Sequence, residues 1–390
     1  MEKIAHGLEG VVVAGTHLSH VDGERGELII GGFAVDELGP NATFEEVLYL
    51  LWHGRLPRRN EVDDLARALA AQRSLPPATL SFLRSAAERN LAPMDALRIA
   101  VGTLSLAVPQ ANGRRETQVA LAQSLVARFP TIIAAYSRLL GGEAIVEPDA
   151  RLGHVANYLY MLQGNRPDPD AVRALETYFN TVVDHGMNAS TFAARVIIST
   201  RSDMVSALEG AIGALKGPLH GGAPGPALDM VFAIREHAAS SGRIIEEEAE
   251  VWIRDALARD ERLMGFGHRV YKVRDPRADV LGAAATKLFT GAGDRQLYTD
   301  ARTVEKVALR LLREAKPERR LDTNVEYYTA LLLHGIGLST GLFSPTFAAA
   351  RAGGWTAHIL EQIKEDRIIR PSSAYIGENH PRWSPLEGRI

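Results

Sequence analysis

Apolar residues recur at three- and four-residue intervals along most of this chain, the spacing that gathers them on one face of a helix. Thr43-Phe44-Glu45-Glu46 has the form of a capping box and runs into Val47, Leu48, Leu50, Leu51 and Trp52, which predicts a helix beginning at Thr43 and ended by Pro57. Pro169-Asp170 is a second start signal, after which Val172, Leu175, Phe179 and Val182 carry an amphipathic helix up to Asp184-His185-Gly186. The same period returns around Val307, Leu311 and Leu312, and again through Ala348, Trp355, Ile359 and Ile363. The fold class expected is therefore all-α, with many helices. Only the beginning differs: the runs 10–16 and 26–32 are β-branched and bounded by glycine, which predicts a short hairpin or two. Glycines at 217–225 and 265–267 fall between helical stretches and predict hinges or binding loops, and the tail beyond Arg370 reads as an extended arm.

Composition narrows the class of function. A chain of 390 residues, 46% hydrophobic and 23% charged, can bury a large core, either as two or three domains or as one large domain with a smaller lobe. Its formal net charge of -3 lacks the basic excess of a nucleic-acid binder, so any anion must be met by locally clustered arginine and histidine. Cysteine does not occur, which removes disulfides, thiolate metal sites and thiol nucleophiles. The stretch 11–14 is too short for a signal-peptide core, and no uninterrupted apolar run approaches the roughly 20 residues of a membrane helix. A cytoplasmic protein with no membrane partner is the expectation.

Three of the 12 histidines stand in glycine-flanked settings: Asp184-His185-Gly186-Met187-Asn188, Pro218-Leu219-His220-Gly221-Gly222 and Gly265-Phe266-Gly267-His268-Arg269. Loops that clear space around an imidazole favour donor or acid-base work. Arginines follow the same segments and recur near the end, as Arg277 in Asp275-Pro276-Arg277, Arg351 before Ala352-Gly353-Gly354-Trp355, and Arg370 before Pro371. Guanidinium grips a carboxylate through two parallel N–H bonds, so such a set suits a small dicarboxylate. Arg351 is the strongest of them, because small and apolar neighbours would bury it without a partner otherwise. Other signals are weak. Gly265-Phe266-Gly267 lacks the third glycine of a dinucleotide fingerprint, no phosphate loop ending in Gly-Lys-Ser/Thr occurs, and His17-Leu18-Ser19-His20 lacks the further ligands of a metal site.

These blocks, in this order, resemble the citrate synthase family over nearly the whole chain. The resemblance is carried by 184–192, by Lys216-Gly217-Pro218-Leu219-His220-Gly221-Gly222-Ala223, by 265–271 leading to Asp275-Pro276-Arg277, by Asn324-Val325-Glu326, and by 347–358. It implies a mostly helical large domain, 1–217 and 326–390, with a small domain, 218–325, that closes over the substrates. It implies that His185, Asn188, Arg277 and Arg351 hold oxaloacetate and that Arg370 reaches it from the partner subunit of a homodimer. It further implies that His220 stabilises the enol or enolate of an acyl-CoA thioester, that Glu326 removes its methyl proton, and that His268 donates to the ketone. Gly265, Phe266 and Gly267 would lie against the CoA adenine, with Arg269, Lys272 or Arg274 meeting its phosphates. No metal and no redox cofactor is implied.

The family usually has aspartate where this chain has Glu326, whose extra methylene moves the carboxylate by about 1.5 Å. Many relatives also have Tyr and Arg in place of Ile30 and Gly31. Three rivals follow: 2-methylcitrate synthase, the same chemistry with propionyl-CoA; a CoA- or dicarboxylate-binding homologue that condenses poorly; and a lyase running the carbon-carbon chemistry backwards.

Overall fold

The structure, a computed structural model, describes residues 4–108, 114–220, 225–291, 294–377 and 383–388. Sixteen α-helices, four single-turn 3-10 helices and one three-stranded antiparallel sheet make up its regular structure among these residues. At the centre is the helix Phe343–Glu365, almost wholly buried and packed against helices Phe44–His53, Arg115–Leu140, Pro169–Val182, Ala189–Ser199 and Met204–Leu215. Its middle is built of small residues, Ala348 to Ala350 and Ala352 to Gly354, so neighbouring backbone comes close; a Cβ on Gly354 would overlap the carbonyl oxygen of Val183. That closeness lays Arg351 beside the segment leading to His185.

Helix Phe44–His53 begins with the expected capping box, in which the Thr43 and Glu46 side chains each accept a backbone N–H from the other's residue. It ends earlier than Pro57 suggests, because Gly54 takes a left-handed φ of 74° and closes the last turn. The helix Pro169–Val182 starts behind an Asp168 cap, and the periodic segments near 307–312 and 348–363 lie in helices Arg295–Ala315 and Phe343–Glu365. Arg115–Leu140 is long and apolar enough to cross a membrane by length and composition, yet 78% of its most apolar window is buried inside the protein.

The sheet corrects one expectation. Strand β1 (Ser19–Asp22) pairs with β2 (Glu27–Ile30), and β2 with β3 (Phe33–Ala34), so the run at 26–32 does form a strand while the run at 10–16 forms none. Val11 and Val13 instead line a cavity, and Val12 is 89% exposed. Leu28 and Ile30 point inward from β2 and fix the register, with Ser19 opposite Ile30.

Helices Gly225–Ser241, Ile245–Ala258 and Arg295–Ala315 pack on one another as a second group. Pro276–Gly291 packs instead against Val35–Asn41, Pro169–Val182 and Val325–Gly335, and so ties the chain following Gly265 to the central bundle.

Candidate active site

Three helices begin at one cavity, and each begins on a residue that satisfies its first N–H groups. Asn188 caps Ala189–Ser199 by accepting from Thr191 N, Asn324 caps Val325–Gly335 by accepting from Glu326 N, and Asp275 accepts the N–H of Arg277 at 3.0 Å as Pro276–Gly291 starts. Helix N-termini favour anions, so the segments carrying the candidate residues bring positive ends with them. The cavity, of about 730 Å³, is lined by His185, Asn188, His220, His268, Arg277, Glu326 and Arg351. Four arginines (Arg262, Arg269, Arg277 and Arg351) face two glutamates (Glu9 and Glu326) around it, a balance that favours a dianion.

The two buried arginines are held in place. Arg277 is 3% exposed and forms a bidentate pair with Asp275, Nε to Oδ1 at 3.0 Å and Nη2 to Oδ2 at 2.8 Å. Burial opposes its charge, and the Asp275 carboxylate more than offsets this, raising its pKa. Arg351, 2% exposed, donates from Nε to the carbonyl of Val182 at 2.6 Å and stacks its guanidinium over Phe347 at 4.5 Å. Burial lowers it to about 10, with Asp184 opposing, so it stays charged at neutral pH. Asp184 accepts from Ser19 Oγ and from His358 Nε2, 3.1 Å away, while Arg195 donates to the other ring nitrogen of His358. Those contacts fix the residue preceding His185 within a closed polar network.

Hydrogen bonding assigns a tautomer to two of the three histidines. The N–H groups of Val270 and Tyr271 both donate to Nδ1 of His268, at 3.1 Å each, so its neutral ring carries the proton on Nε2. Arg277 Nη2 lies 3.4 Å from that Nε2, and since both are donors they converge on one acceptor position. Ser190 N donates to Nε2 of His220 at 3.1 Å, which leaves the His220 proton on Nδ1. Ser190 Oγ is itself seated by Trp355 Nε1 at 3.0 Å and by Asn188 Oδ1 at 2.7 Å. Burial, reinforced by Arg277 at His268 and by Arg351 at His220, lowers both imidazoles to about 4, so both are neutral donors at physiological pH. His185 is lowered well below the ordinary range by burial and by Arg277, Arg351 and His268, and its Nε2 lies 3.1 Å from the Tyr271 hydroxyl.

Glu326 enters from the second residue of its helix. The segment 265–267 runs antiparallel to 322–324, with Gly267 N bonded to Asp322 O and Asn324 N to Gly265 O, so the His268 loop and the Glu326 helix start are laced together. Burial pushes Glu326 up to about 7, against the charges of Arg262 and Arg277 and with that of Asp275. A carboxyl balanced near neutrality is suited to take and return a proton.

A second cavity of about 800 Å³ shares Arg262, Gly267, His268 and Arg269 with the first and adds Lys272, Lys316, Arg319 and Arg320. Arg269 and Lys272 thus share a cationic cavity wall with Lys316, Arg319 and Arg320. Arg274 lines neither cavity; its guanidinium pairs with the exposed Asp279 and the buried Glu305. Phe266 is buried against Tyr327 and also borders the second cavity. Gly265 lines neither cavity; its φ of +89° and the 2.8 Å from a would-be Cβ to Tyr327 explain it by packing. Arg370 is exposed and outside both cavities, on the arm that follows the central helix. Gly221, Gly222 and Ala223 of the His220 motif lie outside the described residues. Asp275, Ser190 and Tyr271 received no role from sequence; Asp275-Pro276, a helix-start signature two residues before Arg277, was the one available signal. Arg319 and Arg320 had none beyond their adjacency. Among the described residues, no group of three or more His, Asp or Glu side chains is arranged to hold a metal.

The family model for the citrate synthase C-terminal domain matches residues 7–372. A citrate synthase of Haloferax volcanii is 40% identical, the match covering 99% of each chain, and a 2-methylcitrate synthase of Mycobacterium tuberculosis is 36% identical over 96% of this chain and 91% of its own. The structure superimposes with a TM-score of 0.88 on citrate synthase from Thermoplasma acidophilum in ternary complex with carboxymethyl coenzyme A and oxaloacetate, at 28% identity and full coverage of both chains. With His185, His220, His268, Arg277, Glu326 and Arg351 gathered around one cavity and full-length similarity in sequence and in structure, the chain belongs to the citrate synthase family.

Proposed function

We propose that this chain condenses acetyl-CoA with oxaloacetate and water to give citrate and CoA. The single observation that carries the reading is the convergence of His185, His220, His268, Arg277, Glu326 and Arg351 on one cavity. Arg277 and Arg351 take the two carboxylates of oxaloacetate, with His185 beside them, and Asn188 acts through its cap and through Ser190. The Glu326 carboxylate removes a methyl proton from the thioester, while His220 Nδ1–H donates to the enolate oxygen that develops. The methyl carbon then bonds to the ketone carbon as the C=O π bond opens, and the ketone oxygen, charged where His268 Nε2–H and Arg277 both donate, takes up a proton to become the hydroxyl, which balances the proton left on Glu326. Water cleaves the resulting thioester and releases CoA as the free thiol. The first cavity holds the reacting groups and the second, with Arg269, Lys272, Arg319 and Arg320, holds the CoA phosphates.

Mixing the protein with oxaloacetate and either acetyl-CoA or propionyl-CoA and following free thiol tests this directly. Release with acetyl-CoA at the higher kcat/KM is expected. A clear preference for propionyl-CoA would move the chain to the 2-methylcitrate reaction, and no release with either would leave only a binding role. One methylene in a pocket is worth about 1–3 kcal/mol, so the ratio of the two rates is the informative quantity.

The same reading assigns a small domain to 218–325 and a homodimer in which Arg370 completes the partner's site. What supports the dimer is the arm itself: Tyr375, Ile376, Trp383 and Leu386 are 73–89% exposed, an apolar set that a second chain would cover. Arg370→Ala and His268→Ala, each inactive alone, should regain activity when unfolded together and refolded, because one mixed site has an intact body and an intact arm. No recovery would place Arg370 in its own chain's site.

A further inference from the structure

The loop that carries His268 is held from outside by the turn of the N-terminal hairpin. Between β1 and β2 the chain turns through Asp22-Gly23-Glu24-Arg25-Gly26, with Asp22 Oδ1 accepting the N–H groups of Glu24 and Arg25 at 3.0 and 2.9 Å. Gly23 O accepts from Lys272 N at 2.8 Å. A Cβ on Gly23 would overlap the carbonyl oxygen of Val270 and stand 2.9 Å from its carbonyl carbon. Gly26, at φ +70°, packs as closely, a Cβ there lying 2.7 Å from Val273 Cγ2. The turn therefore touches the loop at 270, 272 and 273, immediately beside the peptide groups that matter for chemistry. Val270 N and Tyr271 N fix the His268 tautomer, the Tyr271 hydroxyl meets His185, and the Tyr271 ring lies 5.8 Å from the Arg277 guanidinium.

We propose that Gly23 is a positioning residue for the condensation: the hairpin turn is the template on which 268–273 sets, and it delivers His268 as an Nε2–H donor and Tyr271 to His185. The inference rests on the function proposed above and deepens it. A methyl group at Gly23 cannot fit without moving the Val270 peptide, and that movement lengthens the two N–H bonds to Nδ1. Misplacement of a reacting donor by about 1 Å costs about a hundredfold in rate.

The test is Gly23→Ala beside Glu24→Ala, whose side chain is exposed on the same turn. Gly23→Ala should lower kcat/KM for oxaloacetate about tenfold to a hundredfold, while Glu24→Ala stays within about twofold. Nitrogen NMR of ¹⁵N-histidine-labelled protein supplies a readout that does not depend on turnover: His268 should show the Nε2–H form in the unaltered protein and a mixture of tautomers in Gly23→Ala. Val273→Ala, which adds no volume and thins the contact with Gly26, is the second variant if Gly23→Ala fails to fold, and a smaller loss with the same tautomer change is expected. Wild-type kinetics with an unchanged His268 signal in the folded variant would overturn the proposal, as would an equal loss in Glu24→Ala. If the unaltered protein releases no thiol, the proposed function fails, and the histidine spectra still decide whether the turn sets the loop.

Discussion

The two adjoining cavities differ in how their cationic side chains are held. In the first, Arg277 and Arg351 are buried and fixed by Asp275 and by the Val182 carbonyl, and His220 and His268 are fixed by backbone N–H groups. In the second, Arg269, Lys272, Arg319 and Arg320 are exposed, and Lys316 is 3.3 Å from Asp260. Buried, hydrogen-bonded charges act at short range in a low dielectric, whereas exposed ones attract through solvent and are screened by salt. The first cavity is thus built to orient a small dianion, and the second to gather a larger, flexible polyanion. One demands geometry and the other mainly charge.

Substitutions can break this contrast. Arg351→Lys keeps the charge and loses the fork, and should raise the KM for oxaloacetate on the order of a hundredfold, about 3 kcal/mol, with little change for acetyl-CoA. A similar rise in both constants would mean that the cavities are not separate in function. The Arg319→Ala, Arg320→Ala double variant should raise the KM for acetyl-CoA by about tenfold or less, and its penalty should shrink as salt rises from 0.05 to about 0.5 M. Arg274→Ala should leave that constant within about twofold and lower thermal stability instead, because it removes a counter-charge from the buried Glu305. A large effect of Arg274 on acetyl-CoA would return it to the phosphate site.

The contrast also explains what could be read from sequence. Helix positions followed from apolar period and capping signals, since those are local, and the motif histidines and arginines were legible because each stands in a short, distinctive block. Their partners were not. Ser190 reaches His220 across 30 positions and Val182 reaches Arg351 across 169, and nothing in the local sequence marks such pairs. Arg274 and Arg277 are three residues apart and look alike in sequence, yet one faces Glu305 and the other the cavity. The strand expected at 10–16 failed for a related reason: β-branched content permits a strand, but a strand forms only where a partner edge is offered, and β2 pairs with Ser19–Asp22 instead.

The account depends most on Glu326 acting as the base among donors that are already in place. Its carboxyl sits near 7, above the ordinary glutamate value, so it is protonated and idle below that pH and becomes competent as pH rises, while His220 and His268, near 4, remain neutral donors throughout. The deciding measurement is the pH dependence of kcat/KM for acetyl-CoA in the unaltered protein and in Glu326→Gln. A limb rising about tenfold per pH unit and levelling off near pH 7, together with a loss of about a thousandfold or more in Glu326→Gln, is the predicted result. A Glu326→Gln variant that condenses at the unaltered rate, with the same limb, would contradict it.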